Sequence, residues 1–297
     1  MFEEGPLYSP VRTSETGQLE VVLGADHPGV ADLDYRARRN AIATAASQWH
    51  VGQPLPRVEY TEAEHRVWAT VSSELGPLHD RLACREFIDG RRRLGLPTDR
   101  IPTLDEVSGG LRDLTGFSYH PAAGLVPLRQ FYSSLADGIF HSTQYIRHHS
   151  VPLYTPEPDV IHEVVGHGNC LASPRFAALY RAAGEAARRV ESDDALEFVS
   201  KVFWFSLEFG VLREDGAVKT YGAGLLSSFG EIQEMARAQL LPLDVARMGV
   251  QEYDITHYQP LLFCAESFSE VEDVVGGFFD EVDDDAVHAL TSQLVSH

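Results

Sequence analysis

The chain has 297 residues, 44% hydrophobic and 23% charged, which are the proportions of a globular protein with ample material for a core. Asp and Glu number 44 against 24 Lys and Arg, a formal net charge of −20 that argues against nucleic-acid and anionic-membrane partners. No stretch approaches the ~18 apolar residues of a membrane span, and the acidic start MFEEGPLYSP lacks an apolar leader. Cys84, Cys170 and Cys264 are odd in number, far apart and in no CxxC spacing, so a cytoplasmic protein without a disulfide framework is expected.

Residues 1–24 read as a loosely ordered lead-in with Gly5, Pro6 and Pro10. From Asp32 the segment DLDYRARRNAIATAASQWH has no internal Gly or Pro and predicts a helix. Thr61 with Glu64, and Thr103 with Glu106, have the spacing of capping boxes at two further helix starts. Residues 117–160 are punctuated by Pro121, Gly124, Pro127, Pro152, Pro156 and Pro158, with a helix predicted through FYSSLADGIFHSTQYIR. Ser192, followed by Asp193 and Asp194, reads as an N-cap ahead of ALEFVSKVFWFSLEFGVL, an apolar helix of roughly five turns. Strand-like text is scarce, although VKTYGAG has the makings of a short pairing. Residues 280–297 form an acidic tail with a short amphipathic helix carrying Val287, Leu290 and Leu294. A single, mostly α domain with a few short strands is the economical reading.

The segment richest in chemistry is TPEPDVIHEVVGH, residues 155–167, which places His162 and His167 five apart with Glu163 beside the first. At 3.6 residues per turn, a five-residue step leaves the second imidazole roughly 140° around the helix from the first. Both reach one metal only if the helix ends or distorts between them, and Gly166 is the residue best able to permit that. Two nearby histidines are more often ordinary polar residues at a helix end. Here the pattern coincides with the Pro-rich lead-in and with Glu208, a carboxylate set among Trp204, Phe205, Leu207 and Phe209. Such a carboxylate is costly to bury unless paired or metal-bound, and two His with one carboxylate is the facial triad of non-haem Fe(II) oxygenases.

With TPEPDVIHEVVGH stand WFSLEFG at 204–210, YGAGLLSSFGE at 221–231, ADHPG at 25–29, YRARR at 35–39, ACREF at 83–87, STQYIRH at 142–148 and YQPLLFCAESF at 258–268. Together they resemble the catalytic domain of the pterin-dependent aromatic amino acid hydroxylases, and the resemblance runs over about residues 25 to 275. It implies a catalytic domain at 25–279 that is mostly α, with an iron site in a central cleft. Fe(II) would be held by His162, His167 and Glu208, a tetrahydropterin such as tetrahydrobiopterin would be the cofactor, and O2 the co-substrate. Asp159 would orient the His162 imidazole, and Ser227 would hydrogen-bond it. Glu163, Gly124, Leu125, Val126, Phe131, His141 and Phe203 would lie against the pterin, with Phe131 stacking on its rings. Arg147 would clamp the substrate carboxylate beside Thr155 and Pro156, while Pro158, Trp204, Phe209, Gly224 and Ser228 would surround the aromatic ring.

Gly168-Asn169 stands where the family has a proline two residues after the second histidine, Phe203 where it has a tyrosine near the iron, and Pro127-Leu128 where its pterin loop is more polar. Trp204 and the apolar Ile255 favour phenylalanine over tryptophan and tyrosine as substrate, with tyrosine, from 4-hydroxylation, as the product. Hydroxylation at C3 to meta-tyrosine, or tryptophan hydroxylation in a biosynthetic pathway, are the enzymatic alternatives. A degenerate amino-acid-binding relative and a zinc hydrolase are the competing classes. Retention of all three ligands argues against the former, and the five-residue spacing against the latter. The resemblance leaves about 25 residues ahead of it and a short C-terminal segment, so a monomer or weak dimer without a regulatory domain is expected.

Overall fold

Helix starts form where the capping residues stand. In the computed structural model, which describes residues 11–13, 19–255 and 257–295, the Asp32 carboxylate accepts the N–H groups of Asp34 and Tyr35 at the start of α1, Leu33–Ser47. Both capping boxes are closed in both directions, Thr61 with Glu64 opening α2 (Glu62–Leu82) and Thr103 with Glu106 opening α4 (Leu104–Thr115). Between them lies α3, Arg85–Leu94, and Gly95 (φ +60°) and Gly116 (φ +77°) terminate α3 and α4 in the left-handed conformation.

Three segments differ from the sequence expectation. The lead-in, expected to be loose, carries an antiparallel pair, β1 (Val11–Thr13) with β2 (Leu19–Val21), and the Asn40 side chain of α1 accepts the Val21 N–H at 2.8 Å. Residues 1–10 and 14–18 of that lead-in lie outside the described residues. The helix predicted through 131–147 is α5, Leu128–Ala136, and it stops before Gly138 (φ +71°). Ile139–Ser142 then form β4, parallel to β3 (Ser118–Pro121), with His120 opposite His141. Finally, the five-turn helix is α8 (Asp193–Phe203), capped by Ser192, followed by a π-helical turn over Trp204–Glu208. The chain then leaves the helix at Gly210, where a Cβ would lie 2.1 Å from the Tyr221 ring.

A hairpin follows, β5 (Val211–Glu214) with β6 (Ala217–Thr220), turning through Asp215 and Gly216, both at positive φ. This is the pairing VKTYGAG foreshadowed. Two further strands, β7 (Gln239–Pro242) and β8 (Leu261–Ala265), complete a four-stranded sheet of order β6-β5-β8-β7. Leu262–Ala265 are all buried, so the run lacks the polar alternation by which a half-exposed strand is recognised.

The remaining helices complete the chain order. A second π-helical turn, His162–Gly168, runs into α6 (Asn169–Leu171) and then α7 (Pro174–Arg189); α9 (Ala223–Ser227), α10 (Glu231–Glu234) with a 3-10 turn at Met235–Arg237, α11 (Val245–Val250), α12 (Phe268–Val271), a third π turn at Glu272–Gly276, α13 (Gly277–Glu281) and α14 (Asp284–Val295) follow. The small α7 residues Ala183, Gly184, Ala186 and Ala187 are buried, and a Cβ at Gly184 would lie 2.2 Å from the Ala136 nitrogen, so α5 and α7 meet backbone to backbone. One apolar cluster runs from Val67 to Val287, taking in α7, α8 and the start of α14. Asp284 accepts the N–H groups of Glu191 and Ser192 (2.7 and 2.9 Å), which fastens the acidic tail helix to the start of α8. Among the described residues, no helix is long and apolar enough to cross a membrane.

Candidate active site

The five-residue spacing is accommodated by the π turn. His162–Gly168 is π-helical, and its i→i+5 hydrogen bonding returns residues five apart to one face, so the helix neither ends nor breaks. The two Nε2 atoms lie 3.0 Å apart with the imidazole planes at 89°. Gly166 has a different use from the one expected. A Cβ there would lie 2.8 Å from the Ala223 carbonyl oxygen, so the glycine admits the backbone of α9 against the ligand turn.

Glu208 is delivered by the π turn that ends α8, Trp204–Glu208. Its Oε1 is 3.0 Å from His167 Nε2 and its Oε2 3.7 Å from His162 Nε2. The opposite edges of both rings are engaged by hydroxyls: His162 Nδ1 lies 2.9 Å from Ser227 Oγ, and His167 Nδ1 2.7 Å from Tyr180 Oη. Ser227 donates its own proton to the Gly224 carbonyl at 3.2 Å, so it accepts from His162, which fixes the proton on Nδ1. The two Nε2 atoms and the carboxylate thus face one another across 3.0 to 3.7 Å, a set that needs a cation or proton between them. The donor set, two imidazoles and one carboxylate without thiolate, fits a divalent iron with open coordination positions.

A second carboxylate, Glu163, also brings an oxygen within 4.8 Å of imidazole nitrogens. The electrostatics separate the two acids. Burial alone would raise the Glu208 carboxyl, but His167 and His162 beside it bring it below the ordinary range. Burial, reinforced by the Glu208 charge, pushes Glu163 well above it, and the Thr143 hydroxyl donates to Glu163 Oε1 at 3.4 Å. Glu208 is the better third ligand. Burial and the neighbouring His167 press His162 down to about 4, consistent with a neutral imidazole.

Asp159 does not touch the His162 ring. Its carboxylate accepts two bonds from the Arg147 guanidinium, Nε to Oδ2 and Nη2 to Oδ1 at 2.9 Å each, and caps the N–H groups of Ile161 and His162. The expected orienting acid thus fixes the plane of the arginine and the start of the ligand turn, while Ser227 alone of the two holds the imidazole. Both members of the Arg147–Asp159 pair are buried.

A cavity of about 660 Å³ opens on the three donors. It is lined by Glu163, Gly124, Leu125, Val126, Phe131, His141, Phe203, Arg147, Thr155, Pro156, Pro158, Trp204, Phe209, Gly224, Ser227 and Ser228, all of which sequence reasoning singled out, and by Ile255. The Trp204 ring is stacked on Tyr253 (4.2 Å, 15°) and lies 4.6 Å from Phe209. Sequence reasoning passed over Tyr180, which sits in an alanine-rich helix with no local signature. It also passed over the buried Arg39–Glu157 pair (2.6 Å), whose members stand in YRARR and TPEPD, motifs used only for the resemblance. Glu157 also faces His27 Nε2 at 3.3 Å, and Arg39 lies 3.3 Å above the Tyr145 ring centroid. This network fastens α1 to the loop carrying Thr155 and Pro156.

The profile of biopterin-dependent aromatic amino acid hydroxylases matches residues 12–287. The chain is 50% identical over 264 residues to phenylalanine 3-hydroxylase of Streptomyces coeruleorubidus, covering 89% of this chain and 95% of that one. It is 45% identical over 262 residues to phenylalanine-4-hydroxylase of Bos taurus, covering 86% of this chain and 58% of that longer protein. In three dimensions it is similar to the phenylalanine hydroxylase of Chromobacterium violaceum solved with iron(III) and oxidised 7,8-dihydrobiopterin, with a TM-score of 0.71 and 28% identity over 80% of this chain and 90% of that one. The chain belongs to the biopterin-dependent aromatic amino acid hydroxylases.

Proposed function

We propose that the protein hydroxylates the ring of free L-phenylalanine, using O2, a tetrahydropterin and an iron(II) held by His162, His167 and Glu208. The observation that carries this reading is the convergence of three metal-directed donors on one cavity of about 660 Å³. Iron and tetrahydropterin, when bound, supply the activation of O2. The protein's residues bind, orient and exclude water. Arg147, held in plane by Asp159, keeps donors to spare for the substrate carboxylate. Thr155 and Pro156 border that end, and Pro158, Trp204, Phe209, Gly224 and Ser228 enclose the ring. On the pterin side, Phe131 offers a stacking face, Gly124, Leu125 and Val126 a backbone edge, and His141 and Phe203 flanking contacts. Glu163, held toward its neutral form, offers a hydrogen-bond donor.

Trp204 and Ile255 support phenylalanine as the substrate. For the ring position, tyrosine is the product expected from the family's commonest outcome. Meta-tyrosine is favoured by the 50% identity, over nearly the full length of both chains, to an enzyme named as a 3-hydroxylase. Incubation of iron-loaded protein with tetrahydropterin, O2 and phenylalanine, tyrosine or tryptophan, followed by chromatographic comparison with the authentic isomers, decides between them. His162→Ala or Glu208→Ala should remove iron and abolish hydroxylation while the chain stays folded; a variant still active at the parent rate removes that residue from the ligand set. We further propose that residues 25–279 are the catalytic domain, that the protein acts in the cytoplasm, where the buried thiols Cys84, Cys170 and Cys264 stay reduced, and that it is a monomer or weak dimer without nucleic-acid partners.

A further inference from the structure

Directly after Arg147, outside the cavity, His148 and His149 lie beside the N-cap of α1. The Asp32 carboxylate is divided between two tasks. Its Oδ1 accepts the N–H groups of Asp34 and Tyr35 at 3.0 Å each, and its Oδ2 faces His148 Nε2 at 3.2 Å. The Tyr35 N–H and His148 hold this carboxyl below its ordinary range, so it is charged at neutral pH. His148 is buried and fixed from every side. Its Nδ1 lies 2.7 Å from Ser150 Oγ, Tyr35 meets it edge-on at 5.0 Å, and a Cβ at Gly29 would lie 3.1 Å from its Cδ2. The exposed His149 ring follows at 4.3 Å, and one ligand atom from each of Asp32, His148 and His149 lies within 4.8 Å of the other two.

We infer that Asp32, His148 and His149 form a second metal site, separate from the iron ligands, for a first-row divalent ion such as Zn²⁺. The chemistry is that of an open zinc site, two imidazoles and one carboxylate, with solvent to complete the shell. On the far side of the His148 ring, Nδ1 accepts the Ser150 N–H at 3.3 Å and lies 2.7 Å from the Ser150 hydroxyl, so the ring proton sits on Nε2 toward Asp32. A metal at Nε2 takes the place of that proton, and the imidazole then carries its remaining proton on Nδ1, where the Ser150 hydroxyl can accept it. Asp32 belongs to the start of α1, and the two histidines to the segment carrying Arg147. A bound ion therefore joins two elements that otherwise meet through side-chain contacts, and stabilises the folded chain in proportion to its occupancy.

The test is a titration of untagged, Fe(II)-loaded protein with ZnCl2 under anaerobic conditions, reading bound zinc, retained iron and melting temperature. The parent protein takes up one zinc with iron retained, and its melting temperature rises. Asp32→Asn, which keeps an N-capping side chain, and His149→Ala lose that uptake and that rise, while His149→Ala hydroxylates at the parent rate. Ser150→Ala binds zinc about 10–100-fold more weakly. His162→Ala, without its iron ligand, still takes up the zinc. The inference is overturned if zinc binds only by displacing iron, if uptake is the same in Asp32→Asn and His149→Ala, or if His162→Ala takes up none.

Discussion

The Tyr180 hydroxyl lies 2.7 Å from His167 Nδ1 and reaches it from α7, at the opposite end of the imidazole from Glu208. Its ring is fully buried, edge-on to Phe203 at 5.4 Å and to Phe117 at 6.5 Å. The phenol beside His167 therefore comes from α7, while Phe203 offers it only an apolar ring edge. Tyr180→Phe keeps the ring and removes the oxygen that orients His167. Iron affinity, measured by competition with a chromophoric chelator, should fall about 10–100-fold. The apo protein should lose about 1–3 kcal/mol through the buried Nδ1 left without a partner. An unchanged affinity would show that packing alone orients the ring.

Arg39 and Glu157 are a buried ion pair, both 3% exposed at the side chain, with the guanidinium over Tyr145 and His27 on the carboxylate. Removing one member leaves the other charged in a site water does not reach. Arg39→Leu should therefore cost about 3–5 kcal/mol in urea unfolding. Glu157→Gln, which keeps a hydrogen-bond acceptor for Arg39, should cost less. Equal losses in the two variants would mean that shape and not charge holds the loop.

How much of this was legible in the sequence depended on whether the signal was local. The helix starts at Asp32, Thr61, Thr103 and Ser192 could be read because a capping residue and its N–H partners stand within three positions. The proposed ligands could be singled out because His162, His167 and Glu208 sit in long motifs, and their donor atoms lie 3.0 to 3.7 Å apart. What could not be read is set by distant contact. Gly210, where the chain leaves the helical run, has no room for a Cβ against Tyr221, and Gly166 has none against Ala223, 57 residues on. Asp159 was assigned to the histidine three residues away, whereas its side chain reaches back 12 residues to Arg147.

His79 joins α2 to α9, its Nε2–H donating to the Leu226 carbonyl at 2.6 Å, one residue before the serine that holds His162. Burial lowers its pKa from 6.5 to about 4. Between those values the unfolded chain binds a proton that the folded chain refuses, so this contribution to stability is present above pH 6.5 and is lost as pH falls toward 4. His79→Gln, which can still donate to Leu226, should flatten the acid limb of the stability curve by up to about 1.4 kcal/mol per pH unit. Parallel limbs in chemical unfolding at pH 4.5 to 7 would mean that His79 titrates normally in the folded state.

Glu231 has the opposite sign. It lines the cavity beside Ser228 and accepts the Gln259 N–H at 2.8 Å, and burial raises its carboxyl from 4.5 to about 7. Here the folded chain holds the proton more tightly. The group's contribution is fully present below pH 4.5 and is lost as pH rises through 7, where the carboxylate must charge in a buried site. Glu231→Gln keeps the acceptor for Gln259 and removes the charge. It should therefore match the parent at pH 4.5 and exceed it at pH 8, by on the order of 1–3 kcal/mol. Melting temperatures of the two proteins at matched ionic strength from pH 4.5 to 8 should diverge upward. A constant gap would place the Glu231 carboxylate in solvent, and a gap that closes with pH would mean that an undetected cation pairs with it.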